Sequence, residues 1–272
     1  MQKLTAPLTG AEIKKQTKID LDEFWDDLVE AGHILESDDK GTLTSQWEDV
    51  YCNNNGYHFR TEQTICSRLI FACSGSVVSG QMAPFLLSLY QSHFQEQLDV
   101  IVTQTAQKFI TRDFLESYGI QTWSDPFERK AGLHVAHVQL GQPADCIVVM
   151  PASANTLHRL AYATCTDLLS MTVTASLAPL VVIPSMNEVM WNCPAVQDNI
   201  ERLRQNGAYI IEPTTTFGAA NFSIGKAMYG SYGLQWTGPI SLMHTLKAIL
   251  QSIPDNSNNS PEQELLLETR KQ

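Results

Sequence analysis

From residue 68 onward the hydrophobic positions of this chain come in short runs, broken only by Asp99. The runs are Leu69-Ile70-Phe71-Ala72-Cys73, Leu98-Asp99-Val100-Ile101-Val102, Cys146-Ile147-Val148-Val149-Met150, Leu180-Val181-Val182-Ile183 and Tyr209-Ile210-Ile211. A strand with one wet face alternates apolar and polar residues, whereas a strand covered on both faces is apolar throughout. Residues 81–94, 113–118, 155–175 and 196–206 lie between the runs and read as helices. Strands alternating with helices predict an α/β fold, a doubly wound parallel sheet of Rossmann-like or flavodoxin-like type. Ligands of such folds bind at the carboxyl ends of the strands. Here those ends are Ser74-Gly75-Ser76, Thr103-Gln104-Thr105, Pro151-Ala152-Ser153 and Pro184-Ser185-Met186-Asn187, all small or polar.

The first 60 residues follow another pattern. Thr9 and Glu12 have the spacing of a capping box. Behind Asp20, residues Leu21, Phe24, Trp25, Leu28 and Val29 form an apolar stripe at helical spacing, and Gly32 supplies a stop. Residues 34–47, with Asp38-Asp39-Lys40-Gly41 at their middle, read as a hairpin. Helix, helix and hairpin suggest a small winged-helix-like extension. It holds twelve Asp/Glu against six Lys/Arg, a net of −6 out of −11 for the whole chain. The expected division is an extension over 1–60, a main domain over 61–253, and a flexible tail over 254–272 that opens with a run of Asn and Ser. Residues 214–237, rich in glycine and aromatics, read as a mobile lid within the main domain.

Composition narrows the function. Hydrophobic residues make up 43% and charged residues 17% of 272, a globular balance long enough to bury a core without staples. The acidic net charge lacks the basic footprint of a nucleic-acid binder. The start of the chain has no apolar signal segment. The uncharged stretch 168–187 contains Ser, Thr and Pro184, so it reads as a helix end, a turn and a buried strand, not a membrane span. A cytoplasmic protein without membrane contact is expected. The six cysteines form no CxxC pair, so they are expected to be reduced and structural, with no metal site.

Ser74-Gly75-Ser76 follows the first strand and opens a helix, where backbone N–H groups and hydroxyls suit a phosphate. A tight turn that needs glycine explains the same residues. The turn is neither GxGxxG nor a P-loop, which disfavours NAD binding and NTP hydrolysis. The small residues of Pro151-Ala152-Ser153-Ala154-Asn155-Thr156 admit a planar ring, with Asn155 or Thr156 also suited to capping the next helix. Met186, Met190 and Trp191 would ordinarily be core, but Asn187 at a sheet's carboxyl edge is less easily explained by packing.

Together, PASANT at 151–156 and PSMNEVMW at 184–191 resemble the paired signatures of the homo-oligomeric flavin-containing cysteine decarboxylases. That family includes phosphopantothenoylcysteine decarboxylases and the peptidyl-cysteine decarboxylases of lanthipeptide-like pathways. The resemblance covers roughly residues 68–213 and implies FMN as cofactor, held at Ser74, Gly75, Ser76, Thr103, Thr105, Ala152, Ser153, Asn155 and Met186. It implies His137 as the catalytic base or orienter, from the match of His137-Val138-Gln139-Leu140 to the family's histidine segment; His134 is out of register and His158 reads as structural. Asn187 is implied to hold the substrate carboxylate, with Met190 and Trp191 supporting it. The implied reaction is FMN-dependent oxidation of a cysteine followed by loss of CO₂, leaving an enethiol. The implied assembly is a homotrimer or a multiple of it, up to a dodecamer.

Phosphopantothenoylcysteine decarboxylases carry a cysteine in the clamp after the last strand, and residues 214–237 contain none. That departure moves the expected substrate towards a peptide ending in Cys. The alternatives are phosphopantothenoylcysteine itself, or a non-catalytic regulatory flavoprotein on the same fold. The extension can serve peptide recognition along its hairpin edge, or cover the core.

Overall fold

All five apolar runs are strands of one six-stranded parallel sheet. The computed structural model describes residues 2–3, 34–35, 42–43, 50–53, 56–59, 64–130, 135–211, 214–217, 227–230 and 238–252. The sheet strands are β1 (Cys66–Cys73), β2 (Gln95–Val102), β3 (Gln121–Trp123), β4 (Cys146–Ala152), β5 (Leu180–Pro184) and β6 (Tyr209–Ile210). Their order is β3-β2-β1-β4-β5-β6, the doubly wound arrangement with its reversal between β1 and β4. Phe71 sits between Val100 on β2 and Val148 on β4. The edge strand β3 has no apolar run: Gln121-Thr122-Trp123 is too short to signal itself, yet Trp123 is one of the largest fully buried side chains.

Alternate residues of each strand feed two cores. Leu69, Phe71, Val100, Val148 and Ile183 face α1 (Met82–Gln91), through Phe85, Leu86 and Leu89. Ile70, Ala72, Ile101, Val149 and Val182 face the opposite layer. That layer comprises α3 (Ala136–Gly141), α4 (Ala154–Ala161), α5 (Leu168–Thr174) and α7 (Pro194–Gln205). Two short helices complete the winding: α2 (Arg112–Ser117) precedes β3, and α6 (Glu188–Trp191) follows β5. The C-terminal helix α8 (Gly238–Ser252) lays Met243 and Leu246 into the first core.

The helix expected over 155–175 is two helices. The chain leaves α4 at Tyr162 and restarts at Asp167, which caps α5 through a reciprocal hydrogen-bond pair with Ser170. Arg159 on α4 reaches back to Asp167 at 2.5 Å and fixes the corner. The uncharged run 168–187 resolves into α5, a turn and β5, and among the described residues no helix is long and apolar enough to cross a membrane.

In the N-terminal extension, Ile34–Leu35 pairs antiparallel with Thr42–Leu43 across the expected turn. A second hairpin, unread from sequence, joins Val50–Asn53 to Gly56–Phe59, and Gln2–Lys3 adds to its other edge. Gly56–Phe59 packs on both α1 and α8. The helices expected between residues 9 and 32, and the tail from 254, lie outside the described residues. Within the expected lid, β7 (Thr214–Phe217) pairs antiparallel with β8 (Ala227–Gly230), and β8 packs against α6. Burial pushes the Cys66 and Cys73 thiols up to about 12, so both are inert at neutral pH. Cys165 and Cys193 are exposed.

Candidate functional site

The loop after β1 is the hub of the carboxyl end of the sheet. Ser74 is fully buried; its hydroxyl donates to Pro151 O at 2.7 Å and accepts from Ser153 N at 2.8 Å. Those two bonds close the gap between β1 and β4, the point where the sheet reverses. Ser76 Oγ lies 3.2 Å from Ser185 Oγ, joining the loop to the one after β5. Gly75 faces Thr105 on the loop after β2: a Cβ on Gly75 would stand 2.5 Å from Thr105 Cγ2 and 2.7 Å from its Cβ. Glycine is therefore required here by a close approach of two loops.

The remaining hydroxyls shape the helix starts. Ser76 caps the 3-10 turn Val77–Gln81 that runs into α1. Thr103 Oγ1 accepts from Ala106 N at 3.3 Å. Ser153, not Asn155 or Thr156, caps α4, accepting from Thr156 N. Ser153 precedes the first helical residue with extended backbone, the conformation a cap needs; Asn155 and Thr156 already lie inside the helix. Asn155 is exposed, while Ala152 and Met186 are buried.

The loops at 74–76, 103–105, 151–156 and 184–187 carry no charged side chain. Among the described residues, the N–H groups of Gly75, Gln104, Thr105, Ala154 and Asn155 take no partner. A crevice of neutral hydroxyls and unspent N–H groups at a sheet reversal fits an anionic, planar ligand such as FMN: donors suit its phosphate, and Ala152 and Ala154 leave room for its ring. No group of acidic, His or Cys side chains among the described residues can hold a metal.

Asn187 begins the segment beyond β5. Its Oδ1 accepts from Met190 N at 2.9 Å and caps α6. Capping spends the acceptor and leaves the side-chain NH₂, an exposed donor, to face outward. Trp191 is half-buried against the second core, whereas Met190 and Val189 are exposed.

His137 stands apart. It is half-buried on α3, and no hydrogen bond joins it to the carboxyl-end loops among the described residues. Its Nδ1 is buried and has no partner among the described residues. His134 lies outside the described residues. Thus the chain brings together Ser74, Gly75, Ser76, Thr105, Ser153 and Ser185, puts Asn187 two residues beyond Ser185 at the start of α6, and sets His137 on another element. Ser185 was not among the expected site residues. Its signal was a hydroxyl directly after a strand end, the feature shared by Ser74 and Ser153.

The Flavoprotein family matches residues 60–233. Among curated relatives, mersacidin decarboxylase of Bacillus sp. is 32% identical over 54% of this chain and 73% of its own length. Phosphopantothenoylcysteine decarboxylase of Oryza sativa is 32% identical over 71% of this chain and 86% of its own. The bifunctional coenzyme A biosynthesis proteins CoaBC of Mycobacterium tuberculosis are matched over only 35% of their length. Among solved structures, the FMN-dependent cysteine decarboxylase SpaF superposes with a TM-score of 0.55 at 29% identity, covering 67% of this chain and 97% of SpaF.

Proposed function

The chain belongs to the Flavoprotein family of homo-oligomeric flavin-containing cysteine decarboxylases, and on that premise we propose that it is an FMN-dependent decarboxylase of a peptide's C-terminal cysteine. The observation that carries the reading is Asn187: the α6 cap holds its Oδ1 inward, so its NH₂ is presented to solvent at the carboxyl end of the sheet. A donor fixed in that way is matched to a carboxylate and to no cationic group.

Bound FMN would supply the hydride acceptor that oxidation of the cysteine Cβ–S unit requires before CO₂ can leave. The residues of the chain do the rest. The unspent N–H groups of Gly75, Gln104 and Thr105, with the hydroxyls of Ser76 and Ser185, hold the phosphate. Ala152, Ser153, Asn155 and Met186 line the ring. Asn187 orients the substrate carboxylate, and Met190 with Trp191 forms the adjoining wall. His137 takes the thiol proton. Its Nδ1, which has no partner among the described residues, supports service to a neighbour's flavin, in a closed homotrimer or a multiple of one. The hairpin β7–β8 packs on α6 and can close over the substrate.

The peptide substrate is favoured over phosphopantothenoylcysteine because residues 214–237 contain no cysteine to return the enethiol to a thiol. The test is mass spectrometry of cysteine-ending peptides after incubation with the yellow, FMN-loaded protein. Loss of one CO₂ and two hydrogens is expected, and His137→Asn should keep FMN while slowing that loss by about 10²–10⁴-fold. Turnover of phosphopantothenoylcysteine with no reaction on any such peptide would move the chain to the second branch. A colourless protein that fails to take up FMN would end the enzymatic reading.

A further inference from the structure

Helix α3 carries His137 and has only six residues, Ala136–Gly141, too short to hold itself in water. Its own hydrogen bonding is also incomplete. The carbonyl of Gln139 should accept from the N–H four residues on, but that residue is Pro143, which has none. Arg68 supplies the missing donor: its Nη1 lies 2.9 Å from Gln139 O. At the other end of the helix, the Gln139 side chain accepts from Val135 N at 3.1 Å. Gln139 is thus fastened at both ends of the turn that holds His137.

Arg68 is itself fixed from the sheet. Its Nε and Nη2 both lie 2.8 Å from Asp99 Oδ2. Asp99 is 1% exposed, and it also accepts from Gln97 Nε2 at 2.8 Å and from Trp123 Nε1 at 2.9 Å. The guanidinium is therefore a rigid bracket: two of its nitrogens are spent on a buried carboxylate of β2, and the third is aimed at the helix carbonyl whose i+4 position is Pro143. A lysine has one nitrogen and no such fork.

We propose that Arg68, held by Asp99, is a positioning residue that sets the placement of His137 by replacing the helix donor lost at Pro143. The inference rests on His137 as the catalytic base. Arg68 touches neither substrate nor flavin; it acts through Gln139.

The experiment uses the FMN-loaded full chain and compares Arg68→Lys, Pro143→Ala and the double variant, with His137→Asn as control. Arg68→Lys keeps a positive charge beside Asp99, so the fold and bound FMN should persist. A catalytic group displaced by about 1 Å costs roughly 10²-fold; Arg68→Lys is expected to lower kcat by about 10- to 100-fold with KM near wild type. Amide hydrogen exchange in residues 135–143 should rise in step. Pro143→Ala restores the Gln139 partner within the helix, so the double variant should regain most of the lost kcat and protection. Wild-type kcat and exchange in Arg68→Lys would overturn the proposal, as would losses that Pro143→Ala does not repair. If Arg68→Lys fails to fold, Arg68→Gln, which keeps a side-chain amide donor, is read by the same two measurements. Full activity of His137→Asn would instead overturn the role given to His137, while the exchange data would still report whether Arg68 holds the helix.

Discussion

The two ends of the one parallel sheet are built from opposite materials. At the amino end the chain is closed by charge. Asp145 accepts from both Ser67 N and Arg68 N at 2.8 Å, and Asp145 N donates to Arg68 O, so the first residues of β1 are stitched to the entry of β4. Arg68, Asp99 and Trp123 tie β1, β2 and β3 together on one face. Away from that end, along the outer edge of the sheet, Arg112 bonds Thr122, Ser124, Glu116 and Glu128, covering the otherwise open edge of β3. At the carboxyl end there is no charge at all in the loops at 74–76, 103–105, 151–156 and 184–187. Hydroxyls pair with one another or with backbone, and N–H groups are left over. The lesson is a division of labour. Buried charge makes one end costly to disturb, while neutral donors with spare capacity make the other end a place for a ligand.

That contrast can be broken from either side. The largest effect is expected at the amino end. Asp99→Ala leaves the Arg68 guanidinium and the Trp123 N–H without their acceptor, and removing one partner of a buried pair costs about 3–5 kcal/mol. A urea midpoint should fall accordingly, with FMN content unchanged in the fraction that folds. An unchanged midpoint would mean that this end contributes no more than a surface pair.

At the carboxyl end the order of effects should reverse, with function lost before stability. Gly75→Ala places a Cβ 2.5 Å from Thr105 Cγ2. Overpacking of this kind costs about 1–3 kcal/mol, and the separation of the two loops should weaken FMN binding, measured by titration of flavin fluorescence. Adding Thr105→Gly, which removes both obstructing atoms, should restore part of it. If Gly75→Ala binds FMN as the parent does, the close approach is not part of the crevice. Ser185→Ala removes one exchangeable hydroxyl contact with Ser76, worth about 0.5–1.5 kcal/mol. It should be visible in FMN affinity and barely in the midpoint.

The smallest effect tests the charge at the edge of β3. Glu116 is held below the usual carboxylate range, first by the hydrogen bond from the Thr122 hydroxyl and then by Lys130 and Arg112. A carboxylate with a depressed folded-state value stabilises the fold at neutral pH, and that contribution disappears as pH falls through the depressed value. Glu116 is 40% exposed, so the gain is about 0–1 kcal/mol. Glu116→Gln should lower the midpoint slightly at pH 7 and match the parent in strong acid. A difference that grows on acidification would reverse the sign assigned to the group.

Much of this architecture is legible in the linear chain because burial on two faces imposes a local rule. Strands of a parallel sheet that are covered on both faces are mostly apolar, so five strands announce themselves, and their ends mark the crevice. The sixth strand does not. Gln121-Thr122-Trp123 is three residues at an edge, and what fixes it there is Asp99, 24 positions from Trp123, and Arg112, 10 positions from Thr122. The split of 155–175 is of the same kind: apolar spacing continues through the corner, and the break depends on Asp167 capping α5 while pairing with Arg159.

The site divides along the same line. The run of residues from strand end to helix start is local, so the turns at Ser74, Thr103, Ser153 and Asn187 could be found by pattern. Which of their groups remain free is not local. The Ser74 hydroxyl donates to Pro151 O, Ser76 meets Ser185 across the sheet, and Asn187 commits its oxygen to Met190 N. The sequence by itself determined the layers, the order in which helices and strands alternate, and the neutral chemistry of the loops, because these follow from residue type and near neighbours. Only the tertiary structure decided the strand order 3-2-1-4-5-6, the pairing of the loops into one crevice, and the bracket that Arg68 sets under the His137 helix. The loop contacts and the bracket join residues some 70 to 110 positions apart, a range over which no local pattern fixes which groups meet, and at which only closure of the sheet brings them within hydrogen-bond distance.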